Sequence, residues 1–246
     1  MPIPRLRLSA RGSDTSRSSE IRGDLLFLMT RGIMGTVTLR WFGGDEILAC
    51  KRQGRPLVFV CWHGHDLINL GGYHHMFGPD SRGVIMVPET ASGMALRQFG
   101  RRLNIDVVVL PGADAGSMQW ARGIARMTAL IKQGHHGMIA VDGPSGPARQ
   151  VKPGAAVIAR RAGAIIVPSA VGAWPALNLR RRWDNHLIPF PFGRVVACFG
   201  PIIYAAPPTG EKLTVVQIQQ RVAQALGEGT LRAEQLARGL GRPPHG

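Results

Sequence analysis

With 246 residues, 45% of them apolar, the chain is long enough for one α/β domain with its own core and too apolar to be disordered throughout. Its 30 Lys and Arg against 15 Asp and Glu leave a formal charge of +15, which argues for a polyanionic partner, either nucleic acid or an anionic lipid surface. Cys50, Cys61 and Cys198 are odd in number and lack CxxC spacing; this disfavours a disulfide framework or a zinc knuckle and reads as three buried thiols in a reducing compartment.

Residues 1–22 are basic and polar, with no apolar stretch of the kind a signal peptide carries, and read as a disordered tail. Residues 25–39 are nearly charge-free, broken only by Arg31. That run is shorter than the roughly 20 residues a bilayer span needs, so it predicts either a core-packing helix or one lying in a membrane interface. Residues 56–62 (PLVFVCW) form a continuous apolar run, the pattern of a strand buried on both faces, and end abruptly in His63-Gly64-His65-Asp66. Further strands are predicted at 83–88, 105–111, 137–141, 164–171 and 194–200, with helices at 92–103, 118–134 and 151–163 between them. From Glu211 to the end the chain reads as a polar helical hairpin, a C-terminal extension of a domain spanning 23–210.

Alternating strands and helices imply an α/β fold: a single-domain, mixed, largely parallel sheet flanked by helices. Such sheets bind ligands beyond the C-terminal ends of their strands. The polar groups expected there are His63, Glu89, the 112–117 loop ending in Ser117, and Asp142.

A histidine after a buried strand, followed by Gly, stands at a sheet edge and titrates near neutrality, as a general base must. Asp66 is close enough in sequence to orient it or His65. The segment Asp142–Pro147 (DGPSGP) is a rigid turn whose amides can face an anion, and Arg149 and Lys152 follow it, so phosphate binding is one reading and a solvated structural turn the other. Residues 176–194 mix Arg180, Arg181, Arg182 and Arg194 with Trp183, Phe190 and Phe192. This suits a loop at a lipid headgroup interface, a surface for single-stranded nucleic acid, or a loop packed on the sheet by its aromatics.

Five motifs occur in order: WHG at 62–64, VDGPSGP at 141–147, VKPG at 151–154, IIVPSAV at 165–171 and WDNHLIPFPFGR at 183–194. Together they resemble a bacterial family of the lysophospholipid acyltransferase superfamily, over roughly residues 25–201. The resemblance implies a glycerolipid acyltransferase-like sheet working at a membrane surface, peripheral to the cytoplasmic face of the inner membrane. It implies transfer of an acyl group from acyl-CoA or acyl carrier protein to a lipid hydroxyl. The thioester is a substrate, no metal or organic cofactor is implied, and nucleic acid drops out as a partner. By position His63 matches the family's catalytic histidine, and Asp142-Gly143 its acidic-Gly block near the acceptor phosphate. The family's acid stands five residues after its histidine, where this chain has Ile68; Asp66 or Glu89 then takes the orienting role. Arg is usual in the family where this chain has Ser145, which leaves the phosphate to Arg149, Lys152 or a loop amide. Amides of the 112–117 loop or near Gly143 are the expected oxyanion donors. Three alternatives remain: a lipid-binding relative altered in catalysis; a metal-dependent hydrolase built from His63, His65, Asp66 and the pairs His74-His75 and His135-His136; and a non-enzymatic nucleic-acid-binding protein, which the charge favours although no recognised nucleic-acid motif is present.

Overall fold

Leu57 to Cys61 is buried at every position and forms strand β2 (Leu57–Cys61) near the middle of an eight-stranded sheet. Both faces of that strand are covered, which is why its sequence shows no polar alternation. The computed structural model of the chain describes residues 11–78, 80–111, 117–205 and 211–240. Across the sheet the order is β1 (Thr38–Phe42), β7 (His186–Phe199), β6 (Ile165–Leu179), β2, β5 (His136–Ala140), β3 (Gly83–Pro88) and β4 (Ile105–Leu110), with the short β8 (Ile203–Tyr204) paired to β6. β2 runs parallel to β5 and β6, and β3 parallel to β4 and β5; β7 is antiparallel to β6, and β1 parallel to β7. The protein is therefore a single-domain α/β fold with a mostly parallel open sheet.

Alternate side chains of β2 serve opposite layers. Val58 and Val60 join a core built with α5 (Ser117–Lys132), α6 (Gly154–Ala162) and α7 (Val215–Arg238) through Met127, Ile131, Ile158, Val222 and Leu226. Leu57 and Phe59 face the other way, toward α2 (Asp45–Arg52) and α3 (Asp66–Phe77), meeting Ile47, Tyr73 and Phe77. On that second face α4 (Ala91–Arg102) supplies Phe99, and α1 (Arg11–Thr36) supplies Leu26 and Phe27.

Several expectations are corrected. Residues 11–22, expected in a tail, belong to α1; residues 1–10 lie outside those described. α1 is tied to α4 by Asp24, whose two carboxylate oxygens accept from Arg102 at 2.9 and 3.1 Å. The strand β1 and the helices α2 and α3 were not anticipated. α3 contains Gly71 and Gly72, poor helix formers, but a Cβ on Gly71 would lie 2.9 Å from Thr30 Cγ2, so the missing side chain is what lets α1 cross α3 closely. The segment 176–194 is a strand pair closed by a largely exposed turn at 180–185 rather than one loop. It forms the far ends of β6 and β7, paired from Ala176↔Pro189 to Leu179↔His186. The C-terminus is one helix rather than a hairpin through residue 240, started by a Thr214–Gln217 capping box and ended by Gly239. Ile218, Val222 and Leu226 of α7 lie in the main core, so this helix completes the domain instead of extending it.

Among the described residues no helix is long and apolar enough to cross a membrane. The outward face of α1 is nonetheless apolar: Ile21, Leu25, Leu28 and Met29 are each more than half exposed. Their spacing, one turn or two apart, makes a stripe.

Candidate active site

His63 begins a single 3-10 turn (His63–His65) directly after β2. Asp142, just past β5, fixes that turn. One of its oxygens accepts the backbone N–H of His63 at 2.8 Å and the other accepts the N–H of Arg149 at 2.8 Å. Asp142 is fully buried. Its carboxylate therefore joins the ends of β2 and β5, with both oxygens taken up by backbone amides. Gly143 lies against the imidazole: a Cβ there would sit 2.6 Å from His63 Cδ2. The indole of Trp183 packs on the other side, with ring centroids 5.0 Å apart.

The acid nearest the His63 ring is one the sequence reading did not single out. β6 and β7 run on past the end of β2, and the turn between them brings Asp184 back over the 3-10 turn. Asp184 Oδ2 lies 3.3 Å from His63 Nδ1, and its side chain is fully buried. Asp66 Oδ2 stands further off at 3.7 Å. Gly64 permits this approach, since a Cβ at that position would be 2.2 Å from the Asp184 carbonyl oxygen. A local hint existed in the stretch Arg182-Trp183-Asp184-Asn185-His186, an acid set between a cation and a histidine.

The electrostatics separate the two acids. Burial works against the charge of Asp184, but the bidentate Arg182 bonds at 3.0 and 2.9 Å, with His186 and His63 close by, outweigh it and hold the carboxyl at about 2. Asp66 is pushed above its ordinary range by burial, opposed by His63 and His186. Burial, helped by Arg149 and His186, lowers His65 to about 4, so its imidazole is neutral at physiological pH. His186 completes the cluster, with Nδ1 at 3.6 Å from Asp184 and 3.9 Å from Asp66.

His63 and Asp66 line a cavity of about 500 Å³, within the range of small-molecule sites. Its walls are largely apolar, including Leu39, Trp41, Phe59, Ile68, Tyr73 and Met138. The polar side chains among its lining include His63, Asp66, Asn69, Lys152 and Ser169, and the hydroxyl-bearing Tyr73. Asn69 and Ser169 are hydrogen-bonded to each other, and Asn69 donates to the His65 carbonyl.

The other expected residues fall as follows. Lys152 is on the cavity wall and Gly143 beside it, while Ser145 and Arg149 are exposed on the turn. Glu89 is exposed at the end of β3, and the acids within 4 Å of the His63 ring are Asp184 and Asp66, which removes Glu89 as the orienting group. Ser117 is the first residue of α5; its side chain and the 112–116 loop lie outside the described residues. The amide of Gly143 points to the Ala140 carbonyl at 3.4 Å. The remaining histidines are dispersed: His74 bonds the carbonyls of Gly78 and Leu103, His135 bonds Asp106, and His136 bonds Tyr73. Among the described residues no three candidate ligands are placed to hold a metal ion.

The sequence matches no known protein-family model and no curated protein. The chemistry open to the site is thus read from its groups. An imidazole backed by a buried carboxylate, one face turned to an apolar cavity, can take a proton from a hydroxyl and return it to a leaving group.

Proposed function

We propose that the protein is an acyltransferase of the lysophospholipid acyltransferase type, moving an acyl group from an acyl thioester to a lipid hydroxyl at a membrane surface. The observation that carries this reading is His63, oriented by Asp184, on the wall of an apolar cavity of about 500 Å³. The sheet is then read as the glycerolipid acyltransferase-like arrangement. In the reaction, Nε2 of His63 takes the proton of the acceptor hydroxyl as its oxygen attacks the thioester carbonyl. The tetrahedral intermediate collapses, the carbon–sulfur bond breaks, and the imidazolium returns the proton to the leaving thiolate. The new ester and a free thiol are the products, with no covalent enzyme intermediate. The acyl chain occupies the apolar cavity; Lys152 and Arg149 serve the acceptor phosphate.

The membrane arrangement belongs to the same reading. The apolar stripe of α1, flanked by exposed Arg22 and Arg31, and the exposed Phe190 and Phe192 of β7 together suit an anionic bilayer surface. Phe192 is next to the end of α1, its amide donating to Thr36 Oγ1 at 3.2 Å. The expected home is the cytoplasmic face of the inner membrane, with the protein attached peripherally.

The test is transfer from labelled acyl-CoA and acyl carrier protein to lysophospholipid vesicles by the parent protein and by His63→Ala. Loss of a general base costs about 10²- to 10⁴-fold in rate. Equal transfer by the variant ends the proposal. A second reading, a lipid-binding relative without turnover, is favoured by Ile68, which puts an apolar side chain on the cavity wall where the resemblance implies an acid. In that case both proteins retain labelled lipid and neither transfers it.

A further inference from the structure

Four buried side-chain nitrogens have no hydrogen-bond partner among the described residues: Trp62 Nε1 and the Nδ1 atoms of His63, His65 and His186. Buried polar atoms are nearly always paired, so such a concentration in one place needs an explanation. The Nδ1 atoms of His63 and His186 share a feature. Each faces the same two carboxylates, Asp66 and Asp184, at 3.3 to 3.9 Å. These are electrostatic contacts rather than formed hydrogen bonds. His186 differs from His63 in being outside the cavity lining, so it touches no substrate there.

We propose that His186 is a positioning residue: its Nδ1–H, presented between Asp66 and Asp184, holds the two carboxylates side by side and keeps Asp184 aimed at His63. This rests on the reading of His63 as a general base. Two neighbouring carboxylates repel each other, and burial raises the cost of that repulsion. The Arg182 guanidinium hydrogen-bonds both oxygens of Asp184 and reaches Asp66 only through a weaker charge attraction, so it compensates Asp184 far more than Asp66. Among the described residues the hydrogen bond that Asp66 accepts is from the neighbouring Leu67 amide, at 2.7 Å. An Nδ1 lone pair facing two anions would add a third repulsion, so the proton belongs on Nδ1. The charged and titratable groups around the His186 ring are Asp184 and Arg182 from the β6–β7 turn, Asp66 from α3, and His63 and His65 from the 3-10 turn. Without the donor, Asp66, which burial already pushes up, is the group that gives way by taking a proton or turning out, and Asp184 loses the neighbour that fixes its place.

Two substitutions separate this role from packing. His186→Asn keeps an N–H donor at the Nδ1 position; His186→Leu removes it and keeps an apolar filling. The expected result is that His186→Asn retains kcat within about 3-fold, whereas His186→Leu loses about 10²-fold in kcat with KM little changed, the scale of a slightly misplaced catalytic group. Leu performing as well as Asn overturns the proposal, because packing alone then explains the residue. A carbon-13 titration should show the Asp66 carboxyl rising further in His186→Leu than in the parent protein. Should His186→Leu not fold, nitrogen-15 spectra of the unaltered protein decide: a proton on Nδ1 of His186 supports the proposal, and a bare Nδ1 overturns it. Neither spectroscopic measurement needs an acyl substrate. A parent protein that transfers no acyl group therefore sinks the enzyme reading alone, and a bare Nδ1 sinks this inference alone.

Discussion

Nδ1 of His63 lies 3.3 Å from Oδ2 of Asp184, an acid delivered by the β6–β7 turn from far along the chain. Asp66, three residues after the histidine, is further away at 3.7 Å. If distance and charge decide which acid orients the ring, Asp184→Asn should reduce kcat by about 10²- to 10⁴-fold with little change in KM. Asp66→Asn should cost less, about 10-fold. Steady-state acyl transfer by both variants makes the comparison; an Asp66 variant as impaired as the Asp184 variant would reverse the assignment.

Gly143 leaves room for the imidazole. A methyl group there would sit 2.6 Å from His63 Cδ2 and 3.4 Å from Nε2, forcing the ring to shift. Gly143→Ala is expected to lower kcat by about 10²-fold. The loop is half-exposed at this point, so the melting temperature should change little. Thermal melts alongside the activity assay check this, and full activity in the alanine variant would show that the ring has freedom to spare.

The apolar stripe on α1 makes a separate prediction about lipid. Leu25 and Leu28 are 56% and 63% exposed, so charging them should leave the fold intact. Burying each in a bilayer interface contributes roughly 1.5–3 kcal/mol at most. Leu25→Glu with Leu28→Glu should then weaken partition onto anionic vesicles by about 10²-fold or more. Flotation with anionic and zwitterionic vesicles, at low and high salt, is the measurement. Unaltered binding by the double variant would take α1 out of the interface.

Acid should destabilise the fold before ordinary carboxylates titrate. Burial, the leading cause in both, holds His65 and His136 at about 4, below the ordinary histidine value of 6.5. Between pH 6.5 and 4 the unfolded chain therefore binds protons that the folded one refuses, and stability falls as pH falls. Asp184 acts later: its carboxyl is held at about 2 against an ordinary 3.8, so its contribution is complete above 3.8 and disappears as pH falls through 2. Melting temperature followed from pH 7 to 4.5 should drop in the parent, and less steeply in a His65→Gln, His136→Gln double variant. Parallel curves would mean that these imidazoles do not govern the acid sensitivity.

How much of this was legible in advance depends on how local the signal is. The apolar runs at 56–62, 83–88 and 105–111 announced strands, found at 57–61, 83–88 and 105–110, and the turn after Val141 announced a strand end, because those patterns need nothing beyond neighbouring residues. The place of His63 at the sheet edge followed from the same signals. Composition and one apolar stretch suggested an N-terminal helix but not its start at Arg11. The two glycines and two histidines of α3 hid a helix that exists because α1 packs across it. The arginines and aromatics of 176–194 suggested a loop, since residue type there reflects exposure on a strand pair that projects past the sheet.

The sequence by itself determined the alternation of strands and helices, the buried character of the central strands and a histidine at their C-terminal edge. Only the tertiary structure decided which acid lies nearest that histidine, that the Asp142 carboxylate accepts two backbone amides, that His186 faces the same two carboxylates, and that the apolar space beside His63 is a cavity. Periodicity and turn chemistry act between neighbours along the chain. The apposition of Asp184 with His63 depends on how far two strands overrun the sheet and where their turn falls, and no short stretch of residues encodes that.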